Sequence, residues 1–136
     1  MKMSKVMKIV LIILAVIILL AVVCAIFISQ ISKNLEELSD IPLDNVDLSV
    51  IPNGIYAGSY NAFPIAVEVE VKVQDNKIIA INLIKHRNGQ GKAAEAISEM
   101  VVDAQSLKVD AISGATYSSK VILLAIKDAL MSATEK

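Results

Sequence analysis

Ten residues near the C-terminal end concentrate this chain's capacity for chemistry: Asp110-Ala111-Ile112-Ser113-Gly114-Ala115-Thr116-Tyr117-Ser118-Ser119. Small hydroxyl residues crowd around Gly114. The run that follows, Lys120 to Leu130, is apolar-periodic, contains neither Pro nor Gly, and reads as a helix. A Ser/Gly/Thr cluster opening a helix supports two chemistries. One is capping, in which a side-chain oxygen accepts an N–H of the first turn. The other is anion binding, because the first turn carries free N–H groups and the positive end of the helix dipole. The residue types leave both open. Lys120, one turn beyond Thr116 on the same helix face, is either a partner for an anion or an ordinary solvated lysine. Asp110 either orients the Thr116 hydroxyl or caps a turn.

A second cluster is His86-Arg87-Asn88-Gly89-Gln90-Gly91-Lys92, between a strand-like and a helix-like segment. It holds the only His of the chain. Gly89 and Gly91 let backbone approach a ligand closely, since glycine has no Cβ. The pattern lacks the third glycine of a dinucleotide fingerprint, and His86 reads equally well as a surface loop residue. One His and one Cys exclude a multi-ligand His/Cys metal site. No nucleophile–His–carboxylate arrangement stands out.

The segment Asp110-x-x-Ser113-Gly114-Ala115-Thr116 closely resembles the flavinylation motif of the FMN-binding domain family, the domain found in the C and G subunits of the Nqr and Rnf respiratory complexes. The resemblance spans about Gly54 to Leu130, and the chain looks more like the small free-standing, membrane-anchored members than like those subunits. It implies FMN as cofactor, joined by a phosphoester to Thr116. It further implies that Gly114 and Ala115 leave room for a modifying enzyme and that Ser113 and Ser119 complete the motif. Asp110 would orient Thr116 or assist a metal of the modifying enzyme, Lys120 would help neutralise the phosphate, and His86, Gly89 and Gly91 would lie near the isoalloxazine ring. The implied partners are the membrane, an extracytoplasmic flavin transferase, a membrane redox donor and an external acceptor, with no nucleic acid. The implied role is electron carriage rather than stand-alone catalysis. A non-covalent FMN module (sensor or flavin store) and a structural accessory protein without flavin are the other readings.

These residues must be positioned by the rest of a 136-residue chain that is 55% hydrophobic and has no Trp. From Ile9 to Ile28 no residue is charged. As a helix that run spans roughly 30 Å, the thickness of a bilayer's hydrocarbon core. It is longer than the apolar part of a cleaved signal peptide, and Ala21-x-Val23 before Cys24 is a poor lipoprotein site because Val precedes the Cys. An uncleaved anchor over residues 9–31 is therefore expected, with Cys24 a small apolar residue inside it. Lys2, Lys5 and Lys8 precede the run, whereas Glu36, Glu37, Asp40, Asp44 and Asp47 follow it. The positive-inside rule places residues 1–8 in the cytoplasm and the rest outside, at the cell membrane.

Residues 32–52, with two Ile-Pro pairs and scattered Asp, read as a solvated linker. The domain proper is expected over 53–136. Ile55 to Tyr60 reads as a short strand. Ile65, Val67, Val69, Val71 and Val73 alternate with polar or small residues, the mark of a strand with one buried face. Asp75-Asn76 is turn chemistry, and Ile78 to Lys85 is a strand pairing antiparallel with its predecessor. Ala93, Ala94, Ile97, Met100, Val101 and Ala104 share one face of a helix from about Lys92 to Ala104. The expected class is α+β: a small antiparallel sheet packed with two helices.

Overall fold

The computed structural model describes residues 3–87 and 92–135. Its elements are α1 (Lys5–Asp40), β1 (Gly54–Ala62), β2 (Ile65–Gln74), β3 (Lys77–Arg87), α2 (Lys92–Ala104) and α3 (Thr116–Thr134), which is the α+β order expected. The chain divides into two compact units, Met1–Asn34 and Leu35–Lys136.

The first unit is most of α1. Between Ile9 and Ile28 its side chains are exposed around the whole circumference. A helical surface that is apolar on every side has no polar stripe to show to water. The helix is long and apolar enough to cross a membrane.

In the second unit the strands form an antiparallel sheet of order β1-β2-β3. The period-two pattern of β2 does what it should. Ile65, Val67, Val69, Val71 and Val73 are buried, and Glu68, Lys72 and Gln74 face solvent. Asp75 and Asn76 both take positive φ, 54° and 61°, as a tight hairpin turn of the I′ kind requires. β3 is less regular because its register slips against β2 between Glu68/Val69 and between Lys72/Val73. On the covered face α3 packs against β1 and β2, and α2 packs against β3 and α3. Ile97 and Val101 supply the buried face of α2 with Met100 beside them, whereas Ala104 is exposed at its end. The side chains of Ala93 and Ala94 fall outside what the structure describes.

Every residue of α3 from Val121 to Ile126 is buried, so this helix needs a cover on the side away from the sheet. Part of that cover is the segment that reads as a solvated linker. Leu38 and Ile51 are 3% and 2% exposed, and Ile41, Leu43, Val46 and Leu48 pack against the same core. Burying Leu38 and Ile51 contributes about 1.5–3 kcal/mol each. The segment's polar groups are also answered. Lys120 Nζ donates to the Ile41 carbonyl at 2.9 Å and Lys127 Nζ to the Pro42 carbonyl at 2.8 Å. Asn45 Oδ1 accepts from the Ser106 hydroxyl and the Leu107 N–H. The structure thus revises the reading of residues 35–52. The helix ends at Asp40 just before Pro42, a single 3-10 turn forms at Leu48–Val50, and the apolar residues between the aspartates find core sites.

Two further residues fix α3 and α2 on the sheet. At Gly58 the backbone of α3 crosses β1 so closely that an added Cβ would overlap the Ala125 carbonyl and the Ala129 amide. At the other side, the Gln105 side-chain amide pairs with the free edge of β3. It donates to the Ile78 carbonyl at 2.7 Å and accepts the Ile78 N–H at 2.8 Å, a substitute for one rung of a fourth strand.

Candidate functional site at the mouth of the last helix

Helix α3 begins at Thr116. Its N-cap is Ala115, and among the described residues no side-chain capping bond is made at that position. The N-cap position itself is thus held by a residue without a capping side chain, and of the cluster's hydroxyls Ser119 is used inside the loop. Ser119 is fully buried, and its hydroxyl accepts the Ile112 N–H at 3.1 Å and donates to the Ala115 carbonyl at 2.8 Å. It ties the loop to the helix from inside. Gly114 has φ +78°, a conformation that side-chain-bearing residues rarely adopt, yet an added Cβ there would touch nothing within 4 Å. Its glycine is needed for backbone conformation. Ala115 is buried, and Asp110, Ser113 and Gly114 are exposed around it.

This loop presents Thr116 to solvent. Among the described residues its hydroxyl makes no hydrogen bond. Thr116 lines a cleft of about 290 Å³ together with Lys120, Leu38, Ser39, Leu43, Val109, Ala111 and Leu123. That is close to the lower end of the size range of small-molecule sites. The cleft has polar lining from Thr116, Ser39 and Lys120, at the start of α3, and an apolar wall of Leu and Val side chains. An anion is favoured at this polar lining by the helix dipole and the ammonium together.

The sheet register places His86, the first residue of the second cluster, at the end of the sheet that Tyr117 contacts. Tyr60, Val67 and His86 lie in one row across β1, β2 and β3. Tyr117, the second residue of α3, donates its phenol to the carbonyls of Ala62 at 3.2 Å and Phe63 at 2.9 Å, just beyond that row. Burial, and secondarily the neighbouring Tyr60, push the Tyr117 phenol above its usual range. His86 is half-buried, and its Nε2 is buried with no hydrogen-bond partner among the described residues. An orphaned ring nitrogen of this kind is costly unless a ligand or water answers it. Gly89 and Gly91 lie outside the described residues.

A more open hollow of about 380 Å³ is bordered by Ser59, Glu68, Glu70, Ile84 and Asp128. Three carboxylates disfavour an anionic ligand there, and it includes none of the residues singled out from the sequence. Sequence reasoning missed Leu38, Ser39 and Leu43 as walls of the Thr116 cleft. The available signal was the recurrence of apolar residues at 38, 41, 43, 46, 48 and 51 within an acidic stretch.

The model of the FMN-binding domain family matches residues 61–131, from the end of β1 into the last turns of α3. Urocanate reductase of Eggerthella lenta is 33% identical over 78 residues, covering 55% of this chain and 13% of that protein. The chain therefore spans only a small part of that relative's length. The match over β2, β3, α2, the Thr116 loop and most of α3 shows that the chain belongs to the FMN-binding domain family, with FMN as its cofactor.

Proposed function

We infer that this protein is a membrane-anchored, extracytoplasmic electron carrier whose FMN is attached covalently to Thr116. The observation that carries the reading is the exposed Thr116 hydroxyl, without a hydrogen bond among the described residues. It stands on the first turn of a helix whose N-cap residue has no capping side chain, and on the wall of a cleft shared with a lysine. A hydroxyl spent on capping would be held by backbone N–H groups. This one is left for a reagent.

The residues present suit FMN. The first-turn N–H groups and Lys120 answer a phosphate, the Leu38, Leu43, Val109 and Leu123 wall excludes water from apolar parts, and His86 Nε2 offers a hydrogen bond at the end of the sheet that Tyr117 contacts. When bound, FMN supplies the electron-transfer chemistry, and the protein supplies tethering, orientation and electrostatics. Attachment forms the Thr116 Oγ1–phosphorus bond and breaks a phosphoanhydride bond in a flavin pyrophosphate donor. The nucleoside monophosphate leaves, and the threonyl proton passes to a base of the transferase. The transferase, a membrane donor and an external acceptor are the partners this scheme requires. Urocanate reductase contains its matching segment as a small fraction of its length, which suits a flavin module working beside other machinery.

Extracytoplasmic placement is supported by Lys2, Lys5 and Lys8 ahead of the apolar run and by the acidic residues after it. A reporter fused after Lys136 tests it: activity only outside the cytoplasm is expected, and a cytoplasmic signal refutes both the orientation and modification by an extracytoplasmic enzyme. Intact mass of the membrane-purified protein, made beside its transferase, should exceed the polypeptide mass by one FMN less one water. A bare polypeptide mass after denaturation would favour non-covalent FMN.

A further inference from the structure

The Thr116 cleft has one wall that comes from far away in sequence. Leu38, Ser39 and Leu43 precede the sheet, yet they face Thr116, Lys120 and Leu123 of α3 across the cleft. Besides core packing and the Lys127–Pro42 bond, that wall is held by Lys120, whose ammonium donates to the Ile41 carbonyl at 2.9 Å. Thr116 and Lys120 are four residues apart on one helix, so their side chains lie on the same face. An ammonium has three donors. One is used by Ile41, and two remain for a group on Thr116.

Resting on the covalent reading above, we propose that Lys120 is a positioning residue that ties the phosphoester on Thr116 to the segment 38–43, so that loading the cofactor secures this wall beside the site. The phosphoester carries one negative charge. A charge-assisted bond from Lys120 to it is stronger than a bond to a neutral carbonyl and does not displace Ile41, because the donors are distinct. Lys120 then bridges the two acceptors, and its ammonium is fixed from both sides. Each contact makes the other less costly in side-chain entropy, so loading and ordering of the wall are reciprocally coupled. Lys127 holds the adjacent Pro42 carbonyl at 2.8 Å but does not line the cleft. It keeps the segment in place without sensing the cofactor.

Hydrogen–deuterium exchange of the full chain in detergent micelles tests this, with and without coexpressed transferase. The state of Thr116 is read by mass spectrometry on the same digests. Loading should slow exchange in peptides covering residues 38–46 by about threefold to tenfold, as an added charge-assisted contact restrains local opening. In Lys120→Met the loaded fraction, identified by its mass, should show the same exchange over residues 38–46 as the unloaded chain. Lys120→Arg should restore part of the protection, and Lys127→Met should keep the loading-dependent difference. Unchanged or faster exchange in the loaded parent overturns the proposal, as does full protection in loaded Lys120→Met. If Thr116 carries no FMN in the parent, the covalent reading falls and this proposal falls with it.

Discussion

The closest approach in the fold lies between Gly58 of β1 and α3, and replacing that glycine tests how firmly the helix carrying Thr116 is seated. In Gly58→Ala the new methyl would lie 2.7 Å from Ala129 Cα, with the Ala125 carbonyl and Ala129 amide closer still, whereas ordinary contacts begin near 3.4 Å. All three obstacles are backbone, so no rotamer change relieves them. The helix must withdraw by about 1 Å, and a gap of that size forfeits a quarter to a half of the dispersion energy of each contact it opens. Overpacking of this kind costs about 1–3 kcal/mol, occasionally more. The rigid obstacles place Gly58→Ala near 3 kcal/mol. For a domain of this size that lowers Tm by roughly 12–24 °C. The three tyrosines, Tyr56, Tyr60 and Tyr117, all lie in the second unit and the chain has no Trp. Tyrosine fluorescence during heating in detergent therefore reports unfolding of this unit without interference from the apolar helix. A Tm within about 3 °C of the parent would refute the argument that α3 rests backbone-to-backbone on Gly58.

Three other substitutions probe the surroundings of the site. Gly114→Ala should cost about 1–2 kcal/mol because of φ +78°, and Gly114→Asn should cost less. Equal losses by thermal denaturation would mean that conformation is not the reason for glycine. Gln105→Ala leaves the Ile78 N–H and carbonyl unpaired at the β3 edge and should cost about 1–3 kcal/mol by urea denaturation, with Gln105→Glu recovering only the N–H contact. Because the Tyr117 pKa is raised on folding, the folded state holds its proton more tightly. That contribution is fully present below the unfolded value near 10 and is lost as pH rises through the folded value. Tyr117→Phe should therefore flatten the alkaline loss of stability relative to the parent, and identical slopes would show that its proton is not coupled to folding.

The parts of this molecule legible from sequence are those whose signal is local. The alternation from Ile65 to Gln74, the Asp75-Asn76 turn and the helices starting at Lys92 and Thr116 all appear where periodicity and turn chemistry put them. The Asp110–Ser119 motif stands out in sequence because its residue types are rare together, but the structural roles of its members do not. Ser119 shapes the loop and Gly114 supplies a backbone angle, and neither fact is written in the residue names. What sequence could not show is long-range. That Leu38 and Leu43 would face Thr116, or that Lys120 would reach Ile41, depends on α3 being covered on both sides. Gly58 looked like one more strand residue, because the helix that crowds it lies nearly seventy residues away.

The central claim is that Thr116 carries the cofactor, and one measurement addresses it directly. Parent, Thr116→Ala, Thr116→Ser and Ser113→Ala chains are made beside the transferase, denatured, and examined for flavin fluorescence on a gel and by mass spectrometry of the tryptic peptide Val109–Lys120. The account predicts covalent flavin on this peptide in the parent, none in Thr116→Ala, a reduced amount in Thr116→Ser and a mild loss in Ser113→Ala. Flavin that survives denaturation in Thr116→Ala, or flavin released entirely from the denatured parent, would contradict it.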